Sequence, residues 1–92
     1  MSLPRPRSTV VFREVREGAI LFSTETEVYF SLNALGVRVW RLLPPECSHE
    51  DEVVARICKE YPEVSVDTIA ADVRTLVADL VGHGLVEAQR LA

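Results

Sequence analysis

The sequence lacks the residue sets on which most enzyme chemistry depends. Its 92 residues include two histidines and two cysteines, and neither pair has the spacing of a metal site such as HExxH or CxxC. There is also no glycine-rich phosphate loop. His49 precedes an acidic run, but adjacent residues on a helix face different directions, and His83 lies between two glycines, where it suits a helix end. The sequence therefore predicts a non-enzyme with no catalytic residue, metal or cofactor.

The chain also lacks a long apolar run and a cysteine framework. No stretch approaches the ~18–20 apolar residues that cross a bilayer, and residues 1–7 have no apolar centre of the signal-peptide kind. Two cysteines, Cys47 and Cys58, are too few for the disulfide framework of a short secreted domain. Cys58 falls on an apolar helix face, where a reduced thiol packs as a small apolar group. We expect both thiols to be reduced and the protein to be cytoplasmic, without a membrane partner.

Positive charge is scarce as well. Ten Lys and Arg residues stand against fourteen Asp and Glu residues, which gives a net charge of −4 at pH 7. Such a surface repels phosphates, whereas nucleic-acid binders carry a basic stripe. Arg5 and Arg7 are too few to reverse this balance. Nucleic acid is therefore not the expected partner.

What the chain does contain is the composition of one globular domain. Apolar residues make up 48% and charged residues 26%, and the length suffices for a single core. Pro4 and Pro6 are unsuited to a helix interior or a central strand. We therefore expect a flexible tail over residues 1–8 and a single domain over residues 9–92.

Three short β-strand patterns follow the expected tail. Segments 10–15, 19–23 and 26–30 are rich in β-branched and aromatic residues. Glu17 with Gly18 separates the first two segments, and Thr24 with Glu25 forms a two-residue turn between the last two. The pattern predicts an antiparallel meander.

The segment 26–30 is interesting because a strand at a sheet edge has free backbone groups. Such groups can pair with an added strand from another chain. Alternation would place Val28 and Phe30 on one side of the sheet, and Glu27 and Tyr29 on the other.

Helical spacing of apolar residues follows in three segments, each with a capping residue at its start and a proline or glycine at its end. The caps are Asn33, Ser48, and Ser65 or Asp67; the stops are Pro44 with Pro45, Pro62, and Gly82 or Gly84. The order of elements predicts an α+β domain in which three helices pack on one side of a three-stranded antiparallel sheet.

The third helix has a wider apolar surface than one core requires. At about 100° per residue, a stripe within ~60° of arc holds four residues: Ile69, Val73, Leu76 and Leu80. One flank widens this stripe with Val66, Ala70, Val77 and Val81, and is edged by Asp67 and Arg74. The other flank is polar, with Asp72, Thr75 and Asp79. Either two elements bury the two apolar parts, or a partly open groove lies beside the helix.

These residues resemble the PqqD family over residues 10–87. The matching positions are 19–22, 28–33, 39–40, 42–43, 72–73 and 84–85, with Gly36, Glu52, Ile57, Tyr61, Leu76 and Leu80. The most specific part is Tyr29, the pair Leu32 and Asn33, and Trp40 seven residues after Asn33.

The resemblance implies a winged helix-turn-helix-like fold. Domains of this kind are called RiPP recognition elements, after the ribosomally made, post-translationally modified peptides that they serve. Such a domain binds the leader of a ribosomal precursor peptide as an added strand on its third strand, in a cleft lined by the third helix. Carried onto this chain, the resemblance implies contacts from Glu27, Val28, Tyr29, Phe30, Asp67, Ala70, Ala71, Arg74, Val77 and Ala78. Asp72 matches an acidic family position but falls on the opposite flank of the helical wheel.

The resemblance leaves two settings open. In lasso-peptide biosynthesis the domain passes the leader to a leader peptidase and then a cyclase; in pyrroloquinoline quinone biosynthesis it serves a radical SAM enzyme. The lasso setting is slightly favoured. A DNA-binding winged helix shares the architecture, but residues 66–81 hold three acids and one base, whereas a recognition helix is basic. A purely structural subunit of a larger enzyme is the remaining alternative.

Overall fold

The computed structural model of the chain describes residues 2–88. The elements in chain order are β1 (Arg5–Pro6), β2 (Val10–Val15), β3 (Gly18–Ser23), β4 (Tyr29–Leu32), α1 (Ala34–Leu42), α2 (Glu50–Glu60), α3 (Val66–Gly82) and β5 (Val86–Glu87). Strands β2, β3 and β4 form an antiparallel sheet in that order, and β1 pairs with β5. The predicted α+β order, a three-stranded sheet followed by three helices, is confirmed.

The central strand β3 shows why one face of the sheet is covered. Its residues alternate between buried and half-buried, with Ala19, Leu21 and Ser23 buried. This period of two is that of a strand with one face against a core. The helices lie on the face of Leu21, and the opposite face of the sheet stays open to solvent.

The core fills the space between that inner face and the helices. Each layer contributes fully or nearly fully buried side chains: Leu21 and Leu32 from the sheet, Val39 from α1, Ile57 from α2 and Val73 from α3. Trp40 packs against the core while remaining half-buried. No helix of residues 2–88 is long and apolar enough to cross a membrane.

The helix starts follow local capping chemistry. Asn33 and Ser65 cap α1 and α3 through their side-chain oxygens, as the sequence predicts. The cap of α2 is His49 rather than Ser48. Glu52 Oε1 accepts hydrogen bonds from the backbone N–H groups of both Ser48 and His49, each at 3.0 Å. This carboxylate holds both residues outside the helix, so α2 begins one residue later than predicted.

The N-terminal residues differ from the flexible tail expected over residues 1–8. Leu3 is 3% exposed and joins the core, and its N–H donates to the Ser48 carbonyl at 2.8 Å. Strand β1 pairs with β5 although it contains Pro6. A two-residue edge ladder tolerates a proline because the missing N–H faces away from the partner. Residues 2–8 therefore belong to the domain.

The connection between β3 and β4 also differs from the prediction. In place of a two-residue turn at Thr24 and Glu25, residues 24–28 link the strands, and β4 begins at Tyr29 rather than at residue 26. Glu27 has a positive φ of 58°, and its N–H donates to the Ser23 carbonyl at 2.8 Å. Thr24 and Glu25 lack the chemistry of a tight hairpin turn, and the longer loop supplies the reversal instead.

Candidate functional site

Strand β4 has one free edge within residues 2–88, because it pairs only with β3. The N–H of Ser23 donates to the Val28 carbonyl at 2.9 Å, which fixes the phase of the ladder. In an antiparallel pair, alternate residues bond to the partner strand. Every second residue after Val28 therefore bonds to β3, and the backbone groups of Tyr29 and Ser31 point to the free edge.

The side chains of β4 alternate between the two faces of the sheet. Leu32 is buried and Phe30 half-buried against the helices. Tyr29 is 71% exposed on the outer face, where its ring lies 4.6 Å from that of Phe22. An added strand at this edge would thus meet an apolar inner side and an aromatic outer side.

A trough runs along the inner side of this edge, between β4, the start of α1 and helix α3. Its first part, of about 390 Å³, is lined by Phe30, Ser31, Leu32, Asn33, Gly36 and Leu76. A second part, of about 260 Å³, shares Asn33, Gly36 and Leu76 with the first and adds Leu35, Asp72, Thr75 and Asp79. A third part, of about 340 Å³, shares Asn33, Leu35 and Asp72 with the second and adds Ala34, Tyr61, Val64 and Ile69. Neighbouring parts share lining residues, so the three hollows adjoin one another from β4 to Tyr61.

Gly36 keeps the floor of the trough low. A Cβ at this position would lie 3.0 Å from Leu32 Cδ2 and 3.3 Å from Asn33 Oδ1. The same glycine supplies the N–H that the Asn33 side chain accepts at 2.8 Å. One asparagine therefore both starts α1 and shapes the floor of the trough.

The C-terminal end of α3 is held against β4. The His83 ring lies 5.0 Å from the Phe30 ring, and His83 Nδ1 is 2.8 Å from the Asp79 carbonyl. The end of α3 therefore meets β4 through Phe30, and Leu76 lines the same hollow as Phe30.

The α3 wall of the trough is acidic. Asp72 and Asp79 are exposed, and neither carboxylate makes an ion pair within residues 2–88. Thr75 adds a hydroxyl between them. The same described residues contain no group of three or more His, Cys, Asp or Glu side chains placed to hold a metal ion. The trough offers backbone groups, an apolar floor and negative charge, which together suit a peptide better than a small reactive substrate.

Comparison with known proteins agrees with this geometry. The family model described as coenzyme PQQ synthesis protein D (PqqD) matches residues 18–86. The chain belongs to the PqqD family. Among solved structures it is similar to TbiB1 in complex with the TbiA(beta) leader peptide, with a TM-score of 0.80, 30% identity, and coverage of 95% of this chain and 99% of that chain. A search of the curated proteins finds no match.

In this PqqD-family chain, two of the contact residues predicted on α3 lie away from β4. Ala70 and Arg74 line a separate space of about 470 Å³ between α2 and α3, together with Val54, Cys58 and Val66. Arg74 Nε is 3.5 Å from Glu50 Oε1. The helical wheel grouped these residues on one flank, and this flank lies next to α2. Their contact with a bound peptide stays a prediction. The only base of α3 also faces a carboxylate, which leaves no basic surface of the DNA-recognition kind.

The other predicted contact residues lie in four places: the turn before β4, strand β4 itself, the exposed side of α3, and the edge of the core. Glu27 and Val28 precede β4 in the turn, while Tyr29 and Phe30 lie on the strand. Asp67, Ala71 and Ala78 are exposed on the outward side of α3, and Val77 packs against the core. Of the residues predicted from the sequence, Phe30 lines the trough, and Tyr29 lies next to it on the outer face of the sheet.

Most of the lining residues that the wheel missed belong to the polar flank of α3: Asp72, Thr75 and Asp79. Leu76, from the central apolar stripe, and Ser31, on β4, line the trough as well. The match of Asp72 to an acidic position of the PqqD family was the one signal in the sequence that pointed to this flank.

Proposed function

We propose that this protein binds the leader segment of a precursor peptide by strand addition to β4, without catalysing a reaction itself. The observation that carries the proposal is the free edge of β4, where the backbone groups of Tyr29 and Ser31 lie beside the trough. Membership of the PqqD family supports it. So does the 30% identity with TbiB1, a protein solved with a leader peptide.

The binding mode follows from the alternation of an extended peptide. Main-chain hydrogen bonds to Tyr29 and Ser31 supply affinity that does not depend on sequence, and side chains of alternate leader residues supply specificity. One set points into the trough against Phe30 and Leu76. The other set lies on the outer face next to Tyr29.

Beyond the strand, the trough continues past Asn33 to a hollow formed with Leu35, Tyr61 and Val64. An apolar side chain from the segment that adjoins the added strand would be buried there. The carboxylates of Asp72 and Asp79 favour a basic leader residue along the way.

We further propose that the bound peptide is handed to a leader peptidase and then a cyclase, as in lasso-peptide biosynthesis. The likeness to a leader-bound protein over 95% of the chain supports this choice. The alternative is delivery to a radical SAM enzyme in pyrroloquinoline quinone biosynthesis. Adding the domain should accelerate leader cleavage by the peptidase encoded beside the precursor gene. Acceleration of a radical SAM enzyme alone would favour the alternative.

Leader recognition is tested by titrating the domain with a precursor leader and following backbone amide shifts by NMR. We expect saturable shifts at Tyr29–Leu32, at Leu76 and at His83, with Ala70 and Arg74 unaffected. Saturable shifts confined to residues between α2 and α3 would place the peptide elsewhere. No binding at micromolar concentrations of the cognate leader would remove the proposed function.

A further inference from the structure

The end of helix α3 fixes the backbone of His83. Gly84 follows it with a positive φ of 69°, and the Gly84 N–H donates to the Val81 carbonyl at 3.1 Å. The next N–H, that of Leu85, donates to the Leu80 carbonyl at 3.0 Å. These two bonds form a Schellman motif, a common way to end a helix with a glycine in the left-handed region. Since Leu85 is fully buried, the backbone at His83 is held between the helix and the core.

Two contacts orient the imidazole ring of His83. Its Nδ1 lies 2.8 Å from the Asp79 carbonyl oxygen. A carbonyl oxygen can only accept a hydrogen bond, so Nδ1 carries the hydrogen. The ring centre also lies 5.0 Å from that of Phe30, with an angle of 58° between the two planes. The ring therefore has a fixed direction, with Nδ1 towards the helix and Nε2 away from it.

The second ring nitrogen of His83 is open to a ligand. In a neutral imidazole that carries its hydrogen on Nδ1, Nε2 is an acceptor. Nε2 of His83 makes no hydrogen bond within residues 2–88, and the residue is exposed. The end of α3 thus presents one hydrogen-bond acceptor, in a defined orientation, next to Phe30.

This acceptor borders the position of a leader side chain. Phe30 lines the trough, and its neighbour on β3 is Leu21. A strand added at the opposite edge of β4 would place one side chain of the inner face directly beside Phe30, with the two Cβ atoms about 4.5–5.5 Å apart. A long side chain that packs on Phe30 from this position lies within reach of His83, because the rings of Phe30 and His83 are in contact.

The surroundings of Nε2 favour a cationic group. Asp79 stands four residues before His83, so the two side chains are neighbours on one face of α3, and Asp79 makes no ion pair within residues 2–88. Lysine and arginine side chains only donate hydrogen bonds, and their charge is attracted to a carboxylate and to the face of an aromatic ring such as that of Phe30. A leader carboxylate on a protonated His83 would instead be repelled by Asp79.

We propose that His83 is a specificity-determining residue, whose Nε2 accepts a hydrogen bond from a lysine or arginine of the leader that packs on Phe30. The inference rests on the proposed function, because the leader must first add to β4. It names the chemistry of one leader position: a long apolar stem that contacts Phe30, and a positively charged end that contacts His83 and Asp79.

A double-mutant cycle between domain and leader tests this contact. His83→Phe keeps a ring beside Phe30 but removes both ring nitrogens. Each lysine and arginine of the leader segment that binds β4 is replaced in turn by methionine, which keeps an unbranched stem and removes the charge. By isothermal titration calorimetry, His83→Phe should raise the dissociation constant of the unmodified leader about fivefold. For one of the methionine leaders the same variant should change it by less than about twofold.

The matched control is Tyr29→Phe, which removes a polar group from a ring on the outer face of the sheet. It should show no coupling with the leader residue that couples to His83. A third variant, His83→Lys, should reverse the preference at this leader position. A leader with glutamate there should bind His83→Lys more tightly than it binds the wild-type domain, because opposite charges then meet. Circular dichroism of each variant confirms the fold.

These measurements separate the two proposals. A wild-type domain that does not bind leader removes the proposed function. Normal leader binding without coupling between His83 and any basic leader residue overturns the role of His83, and so does a bound leader segment without lysine or arginine. Equal affinity of the glutamate leader for His83→Lys and for the wild-type domain overturns it as well.

Discussion

The two flanks of helix α3 differ in chemistry and in what covers them. One flank carries Val66, Ala70 and Arg74, is largely apolar and faces α2. The other carries Asp72 and Asp79, is largely polar and faces the trough beside β4. Helix α2 therefore covers only part of the wider apolar surface: Ala70 is half-buried, whereas Val66 is 59% and Val81 55% exposed.

The comparison shows that apolar width is a poor guide to an open binding site in a small domain. A second helix accounts for part of the surplus apolar surface of α3, at Ala70. A polar flank, such as the one with Asp72 and Asp79, is compatible with peptide binding. An added strand draws its affinity from main-chain hydrogen bonds and needs only a few apolar contacts. Leu76 supplies such a contact on an otherwise acidic wall.

The largest expected effect comes from displacing the β4 wall of the trough. A Cβ at Gly18 would lie 1.9 Å from the Leu32 carbonyl oxygen, so Gly18→Ala must push the end of β4 away. We expect a loss of about 1–3 kcal/mol in the free energy of unfolding, measured by urea titration, together with loss of leader binding. Gly82→Ala is the control, since its Cβ meets nothing within 4 Å. Equal stability of the two variants would contradict the close packing of β3 on β4.

The next effect compares one half-buried apolar residue from each flank. Leu76→Ala removes the apolar floor of the trough, and we expect the dissociation constant for leader to rise about tenfold in isothermal titration calorimetry. Val77→Ala shortens a neighbouring side chain that packs on the core, as Leu76 also does, but that does not line the trough. It should lower stability while leaving the dissociation constant within about twofold. The reverse ranking would move the peptide to the α2 side.

A smaller effect concerns charge on the trough wall. Asp72→Asn/Asp79→Asn removes two carboxylates that have no ion-pair partner within residues 2–88. If a basic leader residue pairs with them, affinity should fall about two- to fivefold, and its dependence on salt should weaken. Asp67→Asn, on the outward side of α3, is the matched control. An unchanged salt dependence in the double variant would exclude this contact.

The smallest effect is expected at Arg74. If Arg74 made the buried leader contact that the family resemblance implies, Arg74→Glu would weaken leader binding by roughly 1–3 kcal/mol. The side chain instead lies beside Glu50 and is 71% exposed. We now expect leader affinity within about twofold of wild type and a slight loss of stability from carboxylate repulsion. A tenfold loss of affinity would show that leader reaches the α2 side of α3.

Much of the fold could be predicted because its signals are local. The change from strand to helix follows the shift in apolar spacing at Asn33, and prolines and glycines mark the ends. The start of β4 was missed because Glu27 adopts a positive φ, a conformation for which a glutamate gives no warning. The N-terminal residues were missed because the burial of Leu3 depends on the distant Ser48.

The site was harder to predict than the fold for a physical reason. A helical wheel states which residues share a face, but the identity of the neighbouring element is set by tertiary packing. Ala70 and Asp72 are two positions apart, and the wheel alone cannot assign one to the space beside α2 and the other to the trough beside the start of α1. The aromatic pair Tyr29 and Phe30 was placed correctly because strand alternation does not depend on that packing.

The central claim is that leader adds to β4 as a strand, and two synthetic leader peptides test it directly. In each peptide, every second backbone nitrogen is methylated across the leader segment that binds next to Tyr29–Leu32. The second peptide is methylated at the residues that the first leaves unmodified. The first set of methyl groups removes the N–H groups that face β4, and the second removes those that face away. We predict that the first peptide loses binding and that the second binds nearly as well as the unmodified leader. Equal affinities of the two peptides would contradict strand addition.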